Sequence, residues 1–409
     1  MRTRFRIWLL AVILTVLVAA GGGYLYPPSK IQPVTDDFFG TKVTDNYRWL
    51  EDPASTETQR WMASQTAVTR TVLDALPSRD ALRSHLTALY NLPSFSAPSV
   101  YGSRYFYTRR EGGQNHAVVY MRAGNYRAPP KIVVDPNSFS ADGTVALDWW
   151  TPSRDGSLLV YGKSPGGNEI STLYEINTDT GESVDTAIPF SRYSSIAWLH
   201  DDSGFYYAKY PTPGSVPAGD ENYYRYIHFH AAGDSNPNDD PLIFGDGLAK
   251  EAWINATATS DYRNLILTTS LDWIKNDLYI RPLAAPADST DFTPIAVGLD
   301  GTFGGDSYDR TLYLQTSYQA PRNRIIAVDL QKPEEANWRE VVPQQAGVLN
   351  EFKIVGGKLA VSVTTDAVSH LFIYSLDGTL EREIPMPTLG TIGGLSGRPE
   401  AEELFFSFQ

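Results

Sequence analysis

Short apolar segments alternate with turn residues along most of the chain. Between Trp149 and Tyr210 these segments are too short for helices and are rich in β-branched and aromatic residues. Arg-Asp-Gly, Pro-Gly-Gly, Asp-Thr-Gly and Asp-Ser-Gly sequences separate them, and such glycines can adopt the positive φ that tight hairpin turns need. The pattern predicts a meander of antiparallel strands.

The same unit of strand, turn and apolar strand recurs along the chain. Its starts fall near residues 102, 156, 204, 263, 310, 356 and 400. Their spacing is close to the ~40–50 residues of a four-stranded propeller blade. Residues 95–409 are therefore predicted to form an all-β fold, a β-propeller of about seven blades. The expected blades cover 97–134, 144–188, 194–244, 251–297, 303–342 and 347–385, and the seventh has only two strands, 391–396 and 402–408.

Residues 24–94 have a different pattern, which predicts two helices. Ser55 or Thr56 is a suitable N-cap for the first helix, and Pro77 ends it before Ser78 can cap the second. Each helix carries an apolar stripe, which must pack either on the side of the propeller or on a domain absent from this chain. The stripes consist of Trp61, Val68, Val72 and Leu76 in the first helix and Leu82, Leu86, Leu89 and Tyr90 in the second.

Residues 1–23 resemble an export signal. Three arginines, at positions 2, 4 and 6, precede an apolar run from Ile7 to Ala20, and small residues follow through Gly23. The run is short for a membrane span, which needs ~20 apolar residues. We expect a cleaved signal peptide and a periplasmic or secreted protein. The alternative is an uncleaved anchor that leaves the protein attached to the membrane.

Composition and charge exclude several classes of function. The chain is 42% hydrophobic and 12% aromatic, which is typical of a globular protein, and its formal charge of −13 argues against a nucleic-acid partner. The absence of cysteine rules out disulfides and thiolate metal sites. His228 and His230 alternate onto one strand face with Asp220 and Glu221 upstream, but two histidines are more often structural than metal ligands. We expect no metal and no cofactor.

Several motifs, in this order and spacing, resemble the N-terminal part of the prolyl oligopeptidase family. The resemblance extends from about residue 27 to the last residue. The motifs are Tyr47–Asp52, Tyr105–Tyr107, Gly113–Asn115, Ser153–Gly156, Ala197–Trp198, Asp202–Tyr207, and His230 with Gly233.

The resemblance implies a fold and an activity. In this family a seven-bladed propeller caps an α/β-hydrolase domain, and an N-terminal helical segment like residues 31–93 packs with the hydrolase. The implied activity is serine-dependent cleavage of short peptides after proline, with the propeller restricting entry to oligopeptides. The implied partners are therefore an oligopeptide substrate and a hydrolase domain that docks on residues 31–93 and on the propeller face.

The catalytic residues of that family have no counterpart here. Acyl transfer on an α/β-hydrolase needs a serine in a G-x-S-x-G turn, followed by an acid and a histidine. The nearest sequence, Gly394–Gly397, lacks the final spacing and is interpreted as a turn. In the family the serine, aspartate and histidine lie beyond the propeller, so no catalytic residue is predicted in this chain.

The last predicted blade lacks its outer strands. The chain stops within Leu404–Gln409, which would leave an aromatic strand as an open edge. This ending indicates a fragment, truncated in its last blade and without the catalytic domain. The chain is expected to be inactive alone.

Two aromatic residues are candidates for substrate binding. The family has a phenylalanine just ahead of the Ala-Trp strand that contributes to the proline pocket, and Tyr193 occupies that place, five residues before Trp198. Phe244, before Gly245, occupies another position that lies near the pocket in the family. The alternative for both residues is ordinary packing within the blades.

Three functions remain open. The chain is either the propeller portion of a prolyl oligopeptidase-like serine endopeptidase, an exported binding module without enzyme activity, or one subunit of a split peptidase. A binding module would need a closed ring of blades. The incomplete seventh blade therefore favours the first or the third function.

Overall fold

The computed structural model describes residues 26–184 and 187–409. It divides into two compact units, one ending at Leu92 and the other comprising Pro93–Gln409. The predicted export signal, residues 1–23, lies outside the described residues. Within the described ranges, no helix has the length and apolar character needed to span a membrane.

The N-terminal unit contains one β-hairpin and two helices, as predicted for the helices. Ser55 is the N-cap of the first helix, and its hydroxyl accepts a hydrogen bond from the backbone N–H of Thr58 at 3.1 Å. Ser78 precedes the second helix but makes no such side-chain bond. The elements are β1 (Val34–Phe38), β2 (Thr41–Asp45), α1 (Thr56–Asp74) and α2 (Arg79–Tyr90).

Two tryptophans hold this unit together. The rings of Trp49 and Trp61 meet edge to face, with their centres 6.3 Å apart. The indole N–H of Trp49 donates to the carbonyl of Lys30, and that of Trp61 donates to the hydroxyl of Ser29, each at 2.9 Å. These contacts join the segment before the hairpin to α1. The apolar stripe of α2 is different, since Leu82, Leu86, Leu89 and Tyr90 are each more than half exposed.

The C-terminal unit is an all-β propeller with six blades, each an antiparallel sheet. The first three blades run from Ser94 to Phe244. Blade 1 contains β3 (Ser94–Phe95), β4 (Ser99–Tyr101), β5 (Arg104–Arg110), β6 (Val118–Ala123) and β7 (Lys131–Val134); blade 2 contains β8 (Val145–Pro152), β9 (Leu158–Pro165) and β10 (Thr172–Asn177); blade 3 contains β11 (Ile196–Trp198), β12 (Gly204–Lys209), β13 (Tyr226–Ala231) and β14 (Leu242–Phe244).

Three four-stranded blades and a two-stranded sheet complete the propeller. Blade 4 contains β15 (Trp253–Ala258), β16 (Asn264–Ser270), β17 (Asp277–Pro282) and β18 (Thr293–Ala296); blade 5 contains β19 (Phe303–Tyr308), β20 (Thr311–Thr316), β21 (Arg324–Asp329) and β22 (Arg339–Val342); blade 6 contains β23 (Val348–Val355), β24 (Lys358–Thr365), β25 (Val368–Ser375) and β26 (Leu380–Ile384). The last sheet pairs β27 (Ile392–Gly397) with β28 (Leu404–Phe408).

The prediction of an all-β propeller preceded by two helices is confirmed. The predicted limits of blades 1 and 3–6 agree with the observed strands to within three residues. Blade 2 was predicted to end at residue 188, whereas its last strand ends at Asn177 and Ile188 makes only an isolated bridge to Leu173. The predicted count of seven blades is not confirmed, because the structure has six blades and a two-stranded sheet. One smaller interpretation is wrong: Gly394–Gly397 belongs to β27, where a shift of register between Gly393 and Ser396 accommodates the positive φ of Gly394.

The hydrophobic core lies between neighbouring blades. A typical cluster combines Val160 and Leu173 of blade 2 with Trp198, Phe205 and Tyr207 of blade 3, all of them buried. Since both faces of a blade are covered by its neighbours, β12 is buried along its whole length, including the lysine Lys209 at its end.

The turn between the first two strands has the same geometry in blades 2 and 4. In blade 2 the N–H of Gly156 donates to the carbonyl of Ser153 at 3.0 Å, and Gly156 has a φ of 74°. In blade 4 the N–H of Tyr262 donates to Thr259 at 2.7 Å, and Tyr262 has a φ of 54°. A tyrosine therefore occupies a left-handed position that blade 2 gives to glycine.

The two-stranded sheet closes against blade 1. Strand β27 contacts β4, the hydroxyl of Tyr105 donates to Glu403 at 2.7 Å, and Phe405 lies edge-on to Tyr105 and Tyr126 at 5.9 and 5.8 Å. Among the described residues β28 pairs only with β27. Blade 1 and the last sheet of the propeller are thus in direct contact, although the last sheet has two strands.

Candidate functional site

The two ends of the propeller carry different groups. The first strands of blades 3 and 4, β11 and β15, are neighbours, and the rings of Tyr193 and Trp253 meet just before or at their starts. We call this end the start end. At the opposite end, the turn end, each first strand turns into the second strand of its blade.

Tyr193 lies at the start end, three residues before β11. It is 42% exposed, so its ring faces solvent while its polar groups are bound. Its hydroxyl donates to the carboxylate of Glu169, and its carbonyl accepts a bond from Arg225 at 2.6 Å. Arg192 also donates to Glu169, at 2.9 Å, and the two bonds hold the pKa of the Glu169 carboxyl below its usual value, the tyrosine bond contributing most.

Aromatic rings and guanidinium groups alternate at this site. The guanidinium of Arg192 lies 4.9 Å from the centre of the Tyr193 ring, which lies 5.6 Å from the ring of Trp253. The guanidinium of Arg225 follows at 4.5 Å from the Trp253 ring. Trp253 is 40% exposed, so the two rings form a solvent-facing aromatic pair with a cation on either side. We call Tyr193 and Trp253 the aromatic pair.

Non-glycine residues in the loops before β10, β11 and β13 adopt left-handed backbone conformations, as do others elsewhere in the described chain. Glu169, Phe190, Tyr193 and Tyr224 all have positive φ, between 47° and 61°, although none of them is glycine. Such conformations cost about 1–3 kcal/mol per residue and persist only where surrounding contacts enforce them. At Tyr193 these contacts are the hydrogen bonds to Glu169 and Arg225. These contacts hold Tyr193 in a conformation that an unconstrained tyrosine rarely adopts.

Phe244 lies apart from the aromatic pair. It ends β14 and is partly buried, with its ring 5.4 Å from both Tyr279 and Phe292 of blade 4. Among the described residues, no hydrogen bond or ring contact joins Phe244 to Tyr193. The structure thus surrounds Phe244 with the packing contacts that the sequence allowed as an alternative.

Three components of the start end were missed by the sequence analysis. Trp253 is the first residue of β15, the first strand of blade 4, and Tyr193 shortly precedes β11, the first strand of blade 3. This shared position of an aromatic residue is the sequence signal that could have identified Trp253. Arg225 and Glu169 gave no signal, because an isolated Arg or Glu in a polar loop has no periodicity. Folding brings Glu169 and Arg225 to Tyr193 from 24 and 32 residues away in sequence.

A second apolar surface lies beside Trp253. Trp253 pairs with Ser270, so the loop that follows Ser270 emerges at the same edge of blade 4. In this loop Leu271, Trp273 and Ile274 are exposed, and Trp273 is 99% exposed. A fully exposed tryptophan flanked by exposed aliphatic residues marks an interaction surface rather than a packing position. We call these three residues the apolar loop.

The histidines considered as metal ligands form a different cluster in blade 3. His230 is buried and its Nδ1 lies 2.9 Å from Asp240, which also accepts a bond from the Tyr207 hydroxyl at 2.6 Å. Asp220, an acid considered with these histidines, instead pairs with Lys250 at 2.7 Å. Within residues 26–184 and 187–409, no group of three or more His, Asp or Glu side chains could hold a metal ion.

The cluster has the electrostatics of a buried loop anchor. Burial raises the pKa of the Tyr207 hydroxyl, and its bond to Asp240 raises it further. Burial lowers the pKa values of His228 and of Lys209, whose amino group donates to the carbonyl of Pro237. These groups fasten the loop after β13 to the blade.

The turn end opens into a cavity of about 840 Å³. All six blades and the two-stranded sheet contribute to its wall. Lys353 of blade 6 donates to Ser260 of blade 4 at 2.6 Å and lies 3.5 Å from Asp306 of blade 5, so these charges neutralise one another. The guanidinium of Arg154 lies 5.7 Å from the ring of Tyr262 at this end. Charged and polar groups of blades 4, 5 and 6 therefore meet at this end of the propeller.

Comparison with known sequences identifies relatives over almost the whole described chain. The family profile described as "Prolyl oligopeptidase, N-terminal beta-propeller domain" matches residues 26–409. A prolyl endopeptidase from Elizabethkingia meningoseptica is 31% identical over 386 residues, covering 94% of this chain and 54% of the relative. Prolyl oligopeptidase A from Amanita bisporigera is 28% identical, covering 90% of this chain and 52% of the relative.

Solved structures give the same result for the fold. A structure from an analysis of two prolyl endopeptidases and the role of inter-domain dynamics in their catalysis superposes with a TM-score of 0.86 at 30% identity, covering 94% of this chain and 56% of that one. Prolyl oligopeptidase B from Galerina marginata, bound to a 25-residue macrocyclization substrate, superposes with a TM-score of 0.83 at 19% identity. The chain spans about half the length of the proteins it matches.

Proposed function

Because the chain belongs to the prolyl oligopeptidase family, we propose that it is the N-terminal and propeller portion of a serine endopeptidase that cleaves short peptides after proline. One observation carries the proposal: residues 26–409 match the family's propeller domain, yet span about half the length of the relatives. The catalytic serine, acid and histidine then belong to an α/β-hydrolase portion, which either continues this chain or is a separate chain. Alone, the chain is inactive.

The hydrolase portion covers two exposed apolar surfaces in this proposal. The first is a groove of about 890 Å³ within the N-terminal unit, lined by leucines of α1 and α2 that include Leu73, Leu82 and Leu86. The second is the apolar loop at the start end of the propeller. Exposed apolar surfaces of this kind are typical of interfaces, and the relatives are long enough to supply a domain that covers them.

Tyr193 contacts the peptide substrate in this proposal. Its exposed ring, its strained backbone and its position at the start end support this role. Phe244 is proposed as the second substrate-binding residue, on the family resemblance alone, from a partly buried position behind the surface. The propeller admits short peptides and excludes folded proteins.

Two further features belong to the same proposal. The strands β27 and β28 form the inner half of a seventh blade, which their contact with blade 1 supports. The N-terminal segment, residues 1–23, exports the protein to the periplasm or the exterior or, uncleaved, anchors it to the membrane. Detection of the mature N-terminus by mass spectrometry separates cleavage from anchoring.

An exported binding module without enzyme activity is the second candidate. The contact of Phe405 with Tyr105 and Tyr126 favours it, because a ring that closes with two strands in its last sheet does not depend on a further domain for closure. A binding module would use the same start-end surface for a peptide ligand. It would show no dependence on a hydrolase portion.

Two experiments test the proposed function. The coding sequence after codon 409 should continue into, or lie next to, a G-x-S-x-G hydrolase sequence. The purified 409-residue chain should not cleave a chromogenic peptide with proline before the scissile bond, whereas the chain joined or mixed with that hydrolase should. Cleavage by the chain alone that a serine-reactive inhibitor blocks would contradict the proposal. A genome without such a hydrolase sequence would favour the binding module.

A further inference from the structure

Arg225 is a buried cation at the centre of the start end. It precedes β13 and is 2% exposed. Its Nη2 donates to the carbonyl of Tyr193 at 2.6 Å and to the side-chain oxygen of Asn255 at 3.2 Å. Its guanidinium also stacks on the ring of Trp253. One side chain thus contacts both members of the aromatic pair, holding Tyr193 by its backbone and Trp253 by its ring face.

Arg225 has no acidic partner. Among the described residues, no carboxylate lies within ion-pair distance of its guanidinium, and its Nε and Nη1 find no hydrogen-bond acceptor. Burial accordingly lowers the pKa of Arg225 to about 10. Its charge is stabilised by the π face of Trp253 and by the two oxygens that it binds. The geometry of the aromatic pair and the position of the cation therefore depend on each other.

A second buried arginine has the same chemistry away from this surface. Arg281 of blade 4 is also almost fully buried and lies 5.1 Å from the ring of Tyr206 and 5.0 Å from that of Phe292. It donates to the Tyr206 hydroxyl and to backbone carbonyls. Neither ring belongs to the aromatic pair. Arg281 therefore provides a control for the general effect of removing a buried, stacked arginine.

We propose that Arg225 is a positioning residue that fixes Tyr193 and Trp253 as one rigid surface and thereby sets the affinity of the start end for a peptide. This rests on the proposed function, and it adds that peptide binding depends on a residue that the peptide does not touch. Arg225 is required as an arginine, since the planar guanidinium both stacks and donates in fixed directions. A lysine keeps the charge but has no planar face to stack.

The first test uses spectroscopy on the full 409-residue chain and needs no peptide. Trp253→Phe identifies the contribution of Trp253 to the near-ultraviolet circular dichroism. We expect Arg225→Met to remove most of this contribution and Arg225→Lys to restore little of it, whereas Arg281→Met should preserve it. The positioning role is wrong if the Trp253 contribution survives in Arg225→Met, or if Arg281→Met removes it equally.

Arg225→Lys keeps the test decisive if Arg225→Met does not fold. It preserves the buried charge and most of the volume, and folding is checked by the far-ultraviolet spectrum and the urea midpoint. A folded Arg225→Lys variant with an unchanged Trp253 contribution would also overturn the proposal. Loss of that contribution in the folded variant supports it.

The second test measures the peptide. In the complete enzyme, this chain with its hydrolase portion, Arg225→Lys should raise KM for a proline-containing peptide about tenfold and leave kcat nearly unchanged, because ground-state and transition-state binding are weakened alike. Arg281→Lys should change neither constant. An equal loss in both variants, or a loss confined to kcat, would contradict a positioning role. If the unmodified enzyme cleaves no such peptide, the proposed function fails, and the spectroscopic test still decides the role of Arg225.

Discussion

At the scale of single residues, this propeller uses left-handed backbone positions in two ways. Gly156 and Gly181 occupy turns where glycine tolerates a positive φ without cost. Tyr193 and Tyr262 adopt a similar φ with a large side chain, at the start end and in a turn at the other end. The glycines serve the turns. Tyr193 places a 42% exposed ring at the start end, whereas the ring of Tyr262 is partly buried and packs on the core.

Substitution of two glycines separates backbone strain from crowding. Gly181→Ala should lower the free energy of unfolding by about 1–2 kcal/mol, because an L-residue with a side chain is strained in the left-handed region. Crowding adds nothing to this loss, since a Cβ at Gly181 meets no atom within 4 Å. Gly156→Ala should cost more, because its Cβ would lie 2.9 Å from the Phe106 ring and 3.1 Å from Arg104. Urea denaturation of both variants measures the difference. Equal losses would show that the close contacts at Gly156 relax freely.

His228 should make the stability of the propeller depend on pH in the acidic range. Burial lowers its pKa in the folded state below the value of 6.5 that it has when exposed, and nearby Lys209 lowers it further. The unfolded chain therefore binds a proton first as the pH falls. The contribution of His228 to stability is complete above about pH 6.5 and is lost as the pH falls toward its folded pKa.

Replacement of His228 tests this dependence. His228→Gln should lose less stability between pH 7.5 and pH 5.5 than the unmodified chain, as measured by the urea midpoint at each pH. His85→Gln, at an exposed position of α2, is the control and should lose as much as the unmodified chain. A steeper pH dependence in His228→Gln would contradict the argument.

At the scale of elements, strands and helices depend on different contacts. The strands of a blade are buried by the neighbouring blades, so their stability comes from packing between sheets. The two helices are amphipathic, and α2 keeps its apolar stripe exposed. Their stability depends more on local contacts such as capping bonds.

The two serine caps make a matched comparison of this local contribution. Ser55→Ala removes the bond to the Thr58 N–H and should cost about 1 kcal/mol. Ser78→Ala removes no side-chain capping bond and should lower the free energy of unfolding by a few tenths of a kcal/mol at most. Thermal unfolding followed at 222 nm, where helices dominate the signal of a β-rich protein, measures both. A larger loss in Ser78→Ala would show that the caps are assigned wrongly.

A leucine of α2 tests whether the exposed stripe is an interface. Leu86 is 60% exposed, so Leu86→Gln should change the free energy of unfolding by less than about 0.5 kcal/mol. It should nevertheless weaken association with the hydrolase portion, measured by calorimetry, at least tenfold, because an apolar anchor is lost. Ser84→Gln on the same helix is the control and should bind normally. Unchanged binding of Leu86→Gln would remove α2 from the interface.

At the scale of the whole propeller, the ring is joined through its last sheet. Phe405 faces Tyr105 and Tyr126 of blade 1, while Phe406 packs with the core shared with blade 6. The last sheet therefore connects the final blade to the first. Loss of this connection should destabilise the ring, because blades 1 and 6 would each expose one face.

Alanine substitutions measure this connection. Phe405→Ala should cost about 2 kcal/mol, less than for a fully buried ring, and should couple with Tyr105→Ala by about 0.5–1.5 kcal/mol in a double-mutant cycle. Phe406→Ala is the control. It should destabilise to a similar extent but add independently to Tyr105→Ala, because Phe406 packs in the core shared with blade 6 and, among the described residues, no ring contact joins it to Tyr105. Additive behaviour of Phe405 and Tyr105 would show that the first and last sheets do not interact in solution.

Local sequence patterns were sufficient to predict the propeller, the limits of blades 1 and 3–6, the two helices and the Ser55 cap. Strand length, turn residues and helix caps depend on residues close together in the chain, so the sequence alone predicts them. Gly394–Gly397 was misjudged because a strand with a shifted register resembles a turn in sequence.

The rest was decided by tertiary structure. The substrate-binding role of Tyr193 was predicted from its place before the Ala-Trp strand and stays a prediction. Its contacts with Glu169, Arg225 and Trp253, which come from three separate parts of the chain, appear only in the folded structure. Tertiary structure also decided that the last sheet contacts blade 1. It likewise decided that Asp240, and not the predicted Asp220, lies beside the histidines. The sequence determined the type and order of the elements, because local energetics selects them. Only the folded ring decided which distant side chains meet, because such contacts depend on how the blades pack together.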